Sequence, residues 1–309
     1  MEVHQIKLWP KMTVGQLLEE MDKCGVLGAG KLGAATDIVA SMFSDRKCKV
    51  YLTLAGALVP GGLRNIISML IKENYVHGIV TTGANIVHDI LEALGFKHLR
   101  GSFKANDRKL RSEKIGRIGD IYIELKAYEE MENWLKKTIS SIPEEIRANI
   151  SAVRLMKELG LRLKDENSIL AVAAERNVPV ICPGFMDCVA GFQIWTFADE
   201  LNLKIDFFGD METLINMMIE AERVGLIILG GGTPKHFALF ASTFREGVDY
   251  AVQITMDRPE PGGLSGAKLE EAISWSKIKP SARFITVVCD ATIAFPLIIA
   301  AALERIKRN

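Results

Sequence analysis

Several features are scarce in this 309-residue chain, and each scarcity excludes something. Cysteine occurs five times, at Cys24, Cys48, Cys182, Cys188 and Cys289, an odd number with no CxxC pair. That argues against a disulfide framework and against a cysteine-ligated zinc site, so the thiols are expected to be reduced and mostly in the core. Charge of one sign is also lacking: Lys+Arg and Asp+Glu both number 38, for a formal net charge of +0. No whole-molecule field draws the chain to DNA, RNA or an acidic membrane. The most apolar run, Ile293 to Leu303, ends in the charged ERIKRN, and it is shorter than the ~20 residues that a bilayer span needs. The opening MEVHQIKLWPKM has neither the basic nor the apolar region of a signal peptide, and a cytoplasmic location is expected. There is no Pro/Ser-rich linker, no internal repeat and no low-complexity tract. Tryptophan occurs only four times, so each one calls for a reason.

What the chain does have is apolar content, 49% of its residues, enough for a large core. Short β-branched runs alternate with longer helical patterns, the mark of βαβ units and a parallel sheet. Strands are expected at Lys49 to Leu54, Gly78 to Thr82, Val178 to Cys182, Leu226 to Leu229, Tyr250 to Ile254 and Phe284 to Cys289. Helices are expected around Leu63 to Glu73, Asn85 to Leu94, Glu144 to Leu159, Asn167 to Glu175, Phe185 to Ala198, Met211 to Arg223, Pro234 to Phe244 and Lys268 to Ser276. The fold class is therefore α/β with a doubly wound, mostly parallel sheet, and ligands are expected beyond the carboxyl ends of its strands. Residues 1–46 fall outside the alternation and are expected to form a small helical extension ahead of one α/β domain, 47–309. The basic stretch from Lys97 to Lys114 reads as a solvated surface excursion.

Gly28-Ala29-Gly30-Lys31-Leu32-Gly33 is a literal GxGxxG. A dinucleotide fingerprint must follow a strand and lead to an acidic ribose ligand about 20 residues on. Here a helical pattern precedes it and the acidic position falls near Thr53, so it is rejected. A better phosphate cradle is LIILGGGTPKH, Leu226 to His236: a buried strand runs into three glycines, and Thr233-Pro234 reads as the cap and first residue of a helix. Bare glycine amides and a helix N-terminus can approach a pyrophosphate; the bland alternative is a tight turn without a ligand. His236 follows in the first turn, placed for proton transfer. TTGANIVHD repeats the layout at Thr81 to Asp89 and offers His88 and Asp89 as an acid/base pair, although adjacent residues on a helix do not face each other. PVICPGFMD ends at Asp187, either a contact for a cationic substrate or a helix cap. VVCDAT carries Asp290, either a ribose contact or a cap for the last helix.

The most telling stretch is EEAISWSK, Glu270 to Lys277, after the glycine-rich PGGLSGAKL. Glu271 and Trp275 are four apart on the expected helix and share a face, with Lys277 just beyond. An indole that keeps a lysine from water disfavours the ammonium and yields a nucleophile or Schiff-base former. Trp275 can also cover a cationic amine by cation–π attraction.

GGGTPKH, GVDYAVQIT, GGLSGAKLEEAISWSK and VVCDATIAFPL, in this order, resemble deoxyhypusine synthase, especially its archaeal branch and paralogs. YLTLAGALVPGGLRNII, TTGANIVHDI, RIGDIYI and PVICPGFMD extend the likeness over nearly the whole chain. The resemblance implies a Rossmann-like, NAD-binding transferase that moves the 4-aminobutyl group of spermidine to a lysine of the translation factor 5A precursor, working as a homotetramer with sites between subunits. It implies Lys277 as the covalent lysine and His236 as its acid/base. Glu271, Trp275, Asp187 and His88 are implied for the amine, and Thr82, Gly230, Gly232, Gly262, Ser265, Asp290 and Ala291 for NAD. No metal is implied. The chain departs from the pattern where the amine is held: the acidic run before the serine is Pro261 to Leu264, a further aspartate is Phe192, and the glutamates after the TT turn are Val87 and His88. A missing histidine and asparagine are Phe237 and Phe240. A spermidine pocket needs carboxylates to offset the desolvation of its amines. A different donor or acceptor, such as homospermidine formation, and a catalytically silent NAD-binding subunit therefore stay open beside hypusine chemistry.

Overall fold

The computed structural model describes residues 2–308. The chain divides into two compact units. One comprises Met1–Ala55, Tyr75–Val80 and Thr213–Asn309; the other comprises Gly56–Asn74 and Thr81–Glu212.

The first unit is built on five strands: β1 (Cys48–Leu54), β2 (Gly78–Thr81), β3 (Arg223–Leu229), β4 (Val248–Thr255) and β5 (Ile278–Val288). Their order in the sheet is β5-β4-β3-β1-β2. β1 with β3, β3 with β4 and β4 with β5 all pair in parallel, which bears out the mostly parallel α/β reading. The sequence of β3, RVGLIIL, explains its place: every residue after Arg223 is buried. A strand covered on both faces reads as a continuous apolar run rather than an alternation.

β5 is longer than expected. IKPSAR, which read as a polar stop, forms its first half. An edge position makes this possible, because a proline on an edge strand removes no needed ladder bond.

The first 46 residues contain α1 (Val14–Cys24) and α2 (Leu27–Ser44). α2 packs on β5, β4 and β1 of the same unit. A capping box of Thr13 and Gln16 starts α1, and Gly25 in the left-handed region (φ 72) ends it. The rejected GxGxxG lies inside α2, and two of its glycines, Gly30 and Gly33, serve packing. A Cβ on Gly30 would come 2.4 Å from the Gly25 carbonyl carbon, and one on Gly33 would come 2.4 Å from the Asp22 Cα. The unit also contains α3 (Gly232–Ala241), α4 (Glu271–Ser274) and α5 (Ala291–Arg308).

The second unit is mainly helical. It carries a three-stranded antiparallel sheet of Leu99–Arg100, Ile121–Glu124 and Ile115–Ile118, so part of the basic excursion is structured. The helix Lys126–Ser140 was absent from the sequence reading, although Ala127, Met131, Leu135 and Ile139 recur every four residues and are fully buried. The helix expected over Glu144 to Leu159 is two, broken by the strand Ile150–Ser151.

A buried polar hub is centred on Asp89. Its carboxylate accepts from Arg64 Nε at 2.7 Å, from Ser168 Oγ at 2.8 Å and from the Ile169 and Leu170 amides. Asp89 thus caps the helix Ile169–Glu175 in a desolvated site where its charge is fully partnered.

Candidate functional site

Because β1, β3, β4 and β5 run parallel, their carboxyl ends (Leu54, Leu229, Thr255 and Val288) share one edge of the first unit's sheet. Gly230 leaves β3 there with φ 76, and its amide donates to the Ile254 carbonyl. A Cβ on Gly230 would meet the Ala55 carbonyl oxygen at 2.7 Å, and one on Gly231 would come 2.4 Å from the Ser265 Cα. Backbone approaching backbone at this distance leaves glycine as the only unstrained choice. Gly232, φ 57, has only the Ser265 Oγ, 3.7 Å from an added Cβ, nearby. α3 starts at Gly232, earlier than the expected Thr233-Pro234 cap. At the end of β5, Asp290 Oδ1 accepts from both the amide and the hydroxyl of Thr292, capping α5 beside Ala291. The capping alternative thus accounts for one oxygen of Asp290.

Next to the glycine turn lies a cavity of about 150 Å³. His236, Gly262, Glu271, Trp275 and Lys277 line it, together with Lys235, Leu264 and Lys268. Five residues from the sequence reading are therefore brought to one cavity. The helix expected over Lys268 to Ser276 is the single turn α4; Ser276 at φ 54 ends it, and the Lys277 amide folds back to the Ala272 carbonyl at 2.9 Å. The Lys277 carbonyl accepts from Ser242 Oγ and from the Val248 amide, so its backbone is fixed while its side chain enters the cavity. Its Nζ sits 5.6 Å from the Trp275 ring centroid, within cation–π range.

The indole does not shelter the lysine as expected. Trp275 is 69% exposed and Lys277 only half-buried in the single chain, because a one-turn helix cannot fold the indole back over its neighbour. His236 is half-buried, stacks on Phe240 at 6.0 Å, and has its pKa pushed down by burial and then by the Lys277 charge.

The buried lysine is a different one. Lys235, overlooked in the GGGTPKH motif, is 4% exposed. Burial pulls its pKa down to about 8, opposed by Glu271 and assisted by Lys277. Its Nζ donates to Gln253 Oε1 at 3.0 Å and to the Ala267 carbonyl. Only its position directly before His236 in the strand–turn–helix run marked it.

Thr82, His88 and Asp187 belong to the second unit. Thr82 precedes the helix Gly83–Ala93 and its Oγ1 accepts from Asn85 Nδ2. His88 is buried, its Nδ1 2.9 Å from His98 Nε2, and His98 Nδ1 lies 2.7 Å from Glu92. Burial, followed by the effect of His98, lowers the His88 pKa to about 4. Asp187 is exposed and caps nothing, since Cys188 is the cap of Val189–Ala198. Among the described residues no cluster of His, Cys, Asp or Glu can hold a metal ion, and no helix is long and apolar enough to cross a membrane. Burial raises the Cys182 and Cys188 thiol pKa values, so neither is an activated thiol.

A parallel α/β sheet with a glycine turn at its carboxyl edge, next to a cavity holding a histidine and lysines, defines an enzyme of the Rossmann-like class. Comparison with known proteins narrows this class. The deoxyhypusine synthase family model matches residues 16–302. The chain is 44% identical over 304 residues to "Probable deoxyhypusine synthase 1" of Methanosarcina mazei, covering 98% of this chain and 95% of the relative. It is 42% identical over 306 residues to "Probable deoxyhypusine synthase" of Methanothermobacter thermautotrophicus, covering 99% of each. An Entamoeba histolytica crystal structure assigned as a deoxyhypusine synthase shares the fold, with TM-score 0.67, 20% identity and coverage of 95% and 94%. The chain belongs to the deoxyhypusine synthase family and is a transferase.

Proposed function

We propose that the protein transfers the 4-aminobutyl group of spermidine to one lysine of the translation factor 5A precursor, with NAD as cofactor, in the cytoplasm. The observation that supports this most is the meeting of Lys277, His236, Glu271 and Trp275 in one cavity. Lys277 Nζ adds to the oxidised imine carbon of the donor, the C–N bond to the diaminopropane portion breaks and 1,3-diaminopropane leaves as the amine, and the aminobutyl group is held as an imine on Lys277 until the acceptor lysine displaces it. His236, neutral at pH 7 with its pKa lowered, takes up a proton as the donor amine is oxidised and returns it when the product imine is reduced. Glu271 offers a carboxylate to a donor ammonium and Trp275 its ring face.

The first unit's residues fit a dinucleotide. Gly230 and Gly232 hold positive φ at the N-terminus of α3, where bare amides and the helix dipole suit a pyrophosphate. Ser265 lies against them, Gly262 follows in the cavity wall, and Asp290 retains a second oxygen for a ribose hydroxyl beside Ala291. When bound, NAD supplies the reversible oxidation of the amine carbon. Thr82, His88 and Asp187 are proposed contacts on the family resemblance alone.

A second reading is favoured by Leu264 and Phe192, which stand where the family pattern has acids and are 50% and 66% exposed. They cannot offset the desolvation of an ammonium, which suits a donor other than spermidine or a different acceptor. We also propose assembly as a homotetramer, supported by the exposed apolar Met186, Phe192 and Trp195 of the second unit.

The test is incubation with NAD and labelled spermidine, with and without the factor 5A precursor. Label on the precursor supports the first reading, and label in a small amine supports the second. NAD binding with neither would mark a silent subunit. Borohydride should trap label on the wild type and not on Lys277→Ala; equal trapping on both refutes the covalent role.

A further inference from the structure

Lys235 and Gln253 form a buried polar junction that none of the roles above uses. Gln253, on β4, is 0% exposed. Its Nε2 donates to the Gly230 carbonyl at 3.1 Å and to the Ser265 carbonyl at 2.9 Å, while its Oε1 accepts from Lys235. Lys235 Nζ reaches on to the Ala267 carbonyl. Two side chains therefore tie together three segments: the glycine turn, the first turn of α3 and the loop Gly262 to Lys268.

The loop also has backbone bonds of its own, from the Gly262 amide to the Pro259 carbonyl and from the Ala267 amide to the Gly263 carbonyl, both at 3.0 Å. Gly262, Gly263 and Leu264 are exposed, whereas Gly266 is clamped so tightly that an added Cβ would fall 1.9 Å from the Arg258 carbonyl oxygen. The same loop supplies Ser265 to the turn and Leu264, Ala267 and Lys268 to the cavity. A buried ammonium is costly unless it is hydrogen-bonded, and here both of its named acceptors lie at the loop's attachment point. The charged groups facing it are Glu271 and Lys277, one of each sign.

We propose that Lys235, acting through Gln253, is the positioning residue of this site: it fixes the Gly262 to Lys268 loop against the glycine turn and so sets both the cofactor cradle and the cavity wall. The cofactor part of this proposal rests on the reading of Gly230 to Gly232 as the NAD site.

The test uses the full chain carrying Lys235→Met, which keeps the side-chain length and removes the donors. Deuterium exchange of unliganded protein should quicken at least tenfold across residues 261–269 and stay unchanged in β3. Kinetically, the KM for NAD should rise about tenfold with a smaller change in kcat, whereas mere loss of folded protein would lower kcat at constant KM. Gln253→Leu, which leaves the Ala267 bond in place, should give the same localised loosening and provides the test if Lys235→Met does not fold. Wild-type exchange in the loop overturns the proposal, and so does faster exchange with unaltered NAD affinity. If wild-type protein binds no NAD, the cofactor reading fails on its own, and loop exchange still decides whether Lys235 holds the loop.

Discussion

His236 is half-buried in the cavity wall, and both its desolvation and the neighbouring Lys277 charge disfavour the imidazolium. Its neutral form, the one that accepts a proton, therefore persists below the ordinary histidine pKa of 6.5. The acid limb of the pH–rate profile should begin below that value and disappear in His236→Gln, with turnover down roughly 10²- to 10⁴-fold. Lys235 gives a second titration, read in stability. Burial pulls its pKa in the folded protein down to about 8 from the ordinary lysine value of 10.5, so between these the unfolded chain holds more protons. Unfolding free energy should rise with pH across that window. Comparing urea midpoints of the wild type and Lys235→Met at its two ends isolates the contribution, which the variant should lack. The ion that is hardest to keep in the cavity is thus the one that sequence spacing did not single out.

At the scale of elements, the GxGxxG of α2 gives a paired test of what its glycines do. A Cβ at Gly33 meets the Asp22 Cα, backbone that cannot swing away, whereas one at Gly28 meets nothing within 4 Å. Gly33→Ala should destabilise by roughly 1–3 kcal/mol as an overpacked helix contact. Gly28→Ala should stabilise by up to about 1 kcal/mol through helix propensity. Thermal midpoints moving in opposite directions would verify this, and a destabilised Gly28→Ala would contradict it. The one-turn α4 makes the complementary point. Glu271 to Trp275 has the i, i+4 spacing of a helix face, yet Ser276 in the left-handed region stops the helix before it can organise that face. The cavity is shaped instead by the loop that precedes it.

For the whole molecule, the balanced charge and neutral sequence pI of about 7.0 leave association to apolar surface rather than to a long-range field. Trp195 is 75% exposed on the helix Val189–Ala198, one turn from Phe192. If this face is part of the proposed tetramer, light scattering should give four times 34.1 kDa for the wild type and a lower mass for Trp195→Glu. An unchanged mass for that variant would remove this helix from the interface.

The parallel α/β core was legible in the sequence because strands buried on both faces read as apolar, β-branched runs, as β3 does after Arg223 and β1 does for most of its length. The glycine turn was legible because a strand end that packs against a loop backbone admits no Cβ, and the family motifs covered almost the whole chain. The sequence by itself thus determined the class of fold, the family and four of the residues that line the cavity with Lys277, namely His236, Gly262, Glu271 and Trp275. Burial was settled only by the tertiary structure. Which lysine loses water depends on which loop closes over it, and the chain 32 residues away from Lys235 supplies the carbonyl that does so. The exposure of Trp275, the split of Glu144 to Leu159 and the extension of β5 through Pro280 likewise turn on edge position and neighbours distant in sequence, which no local spacing encodes.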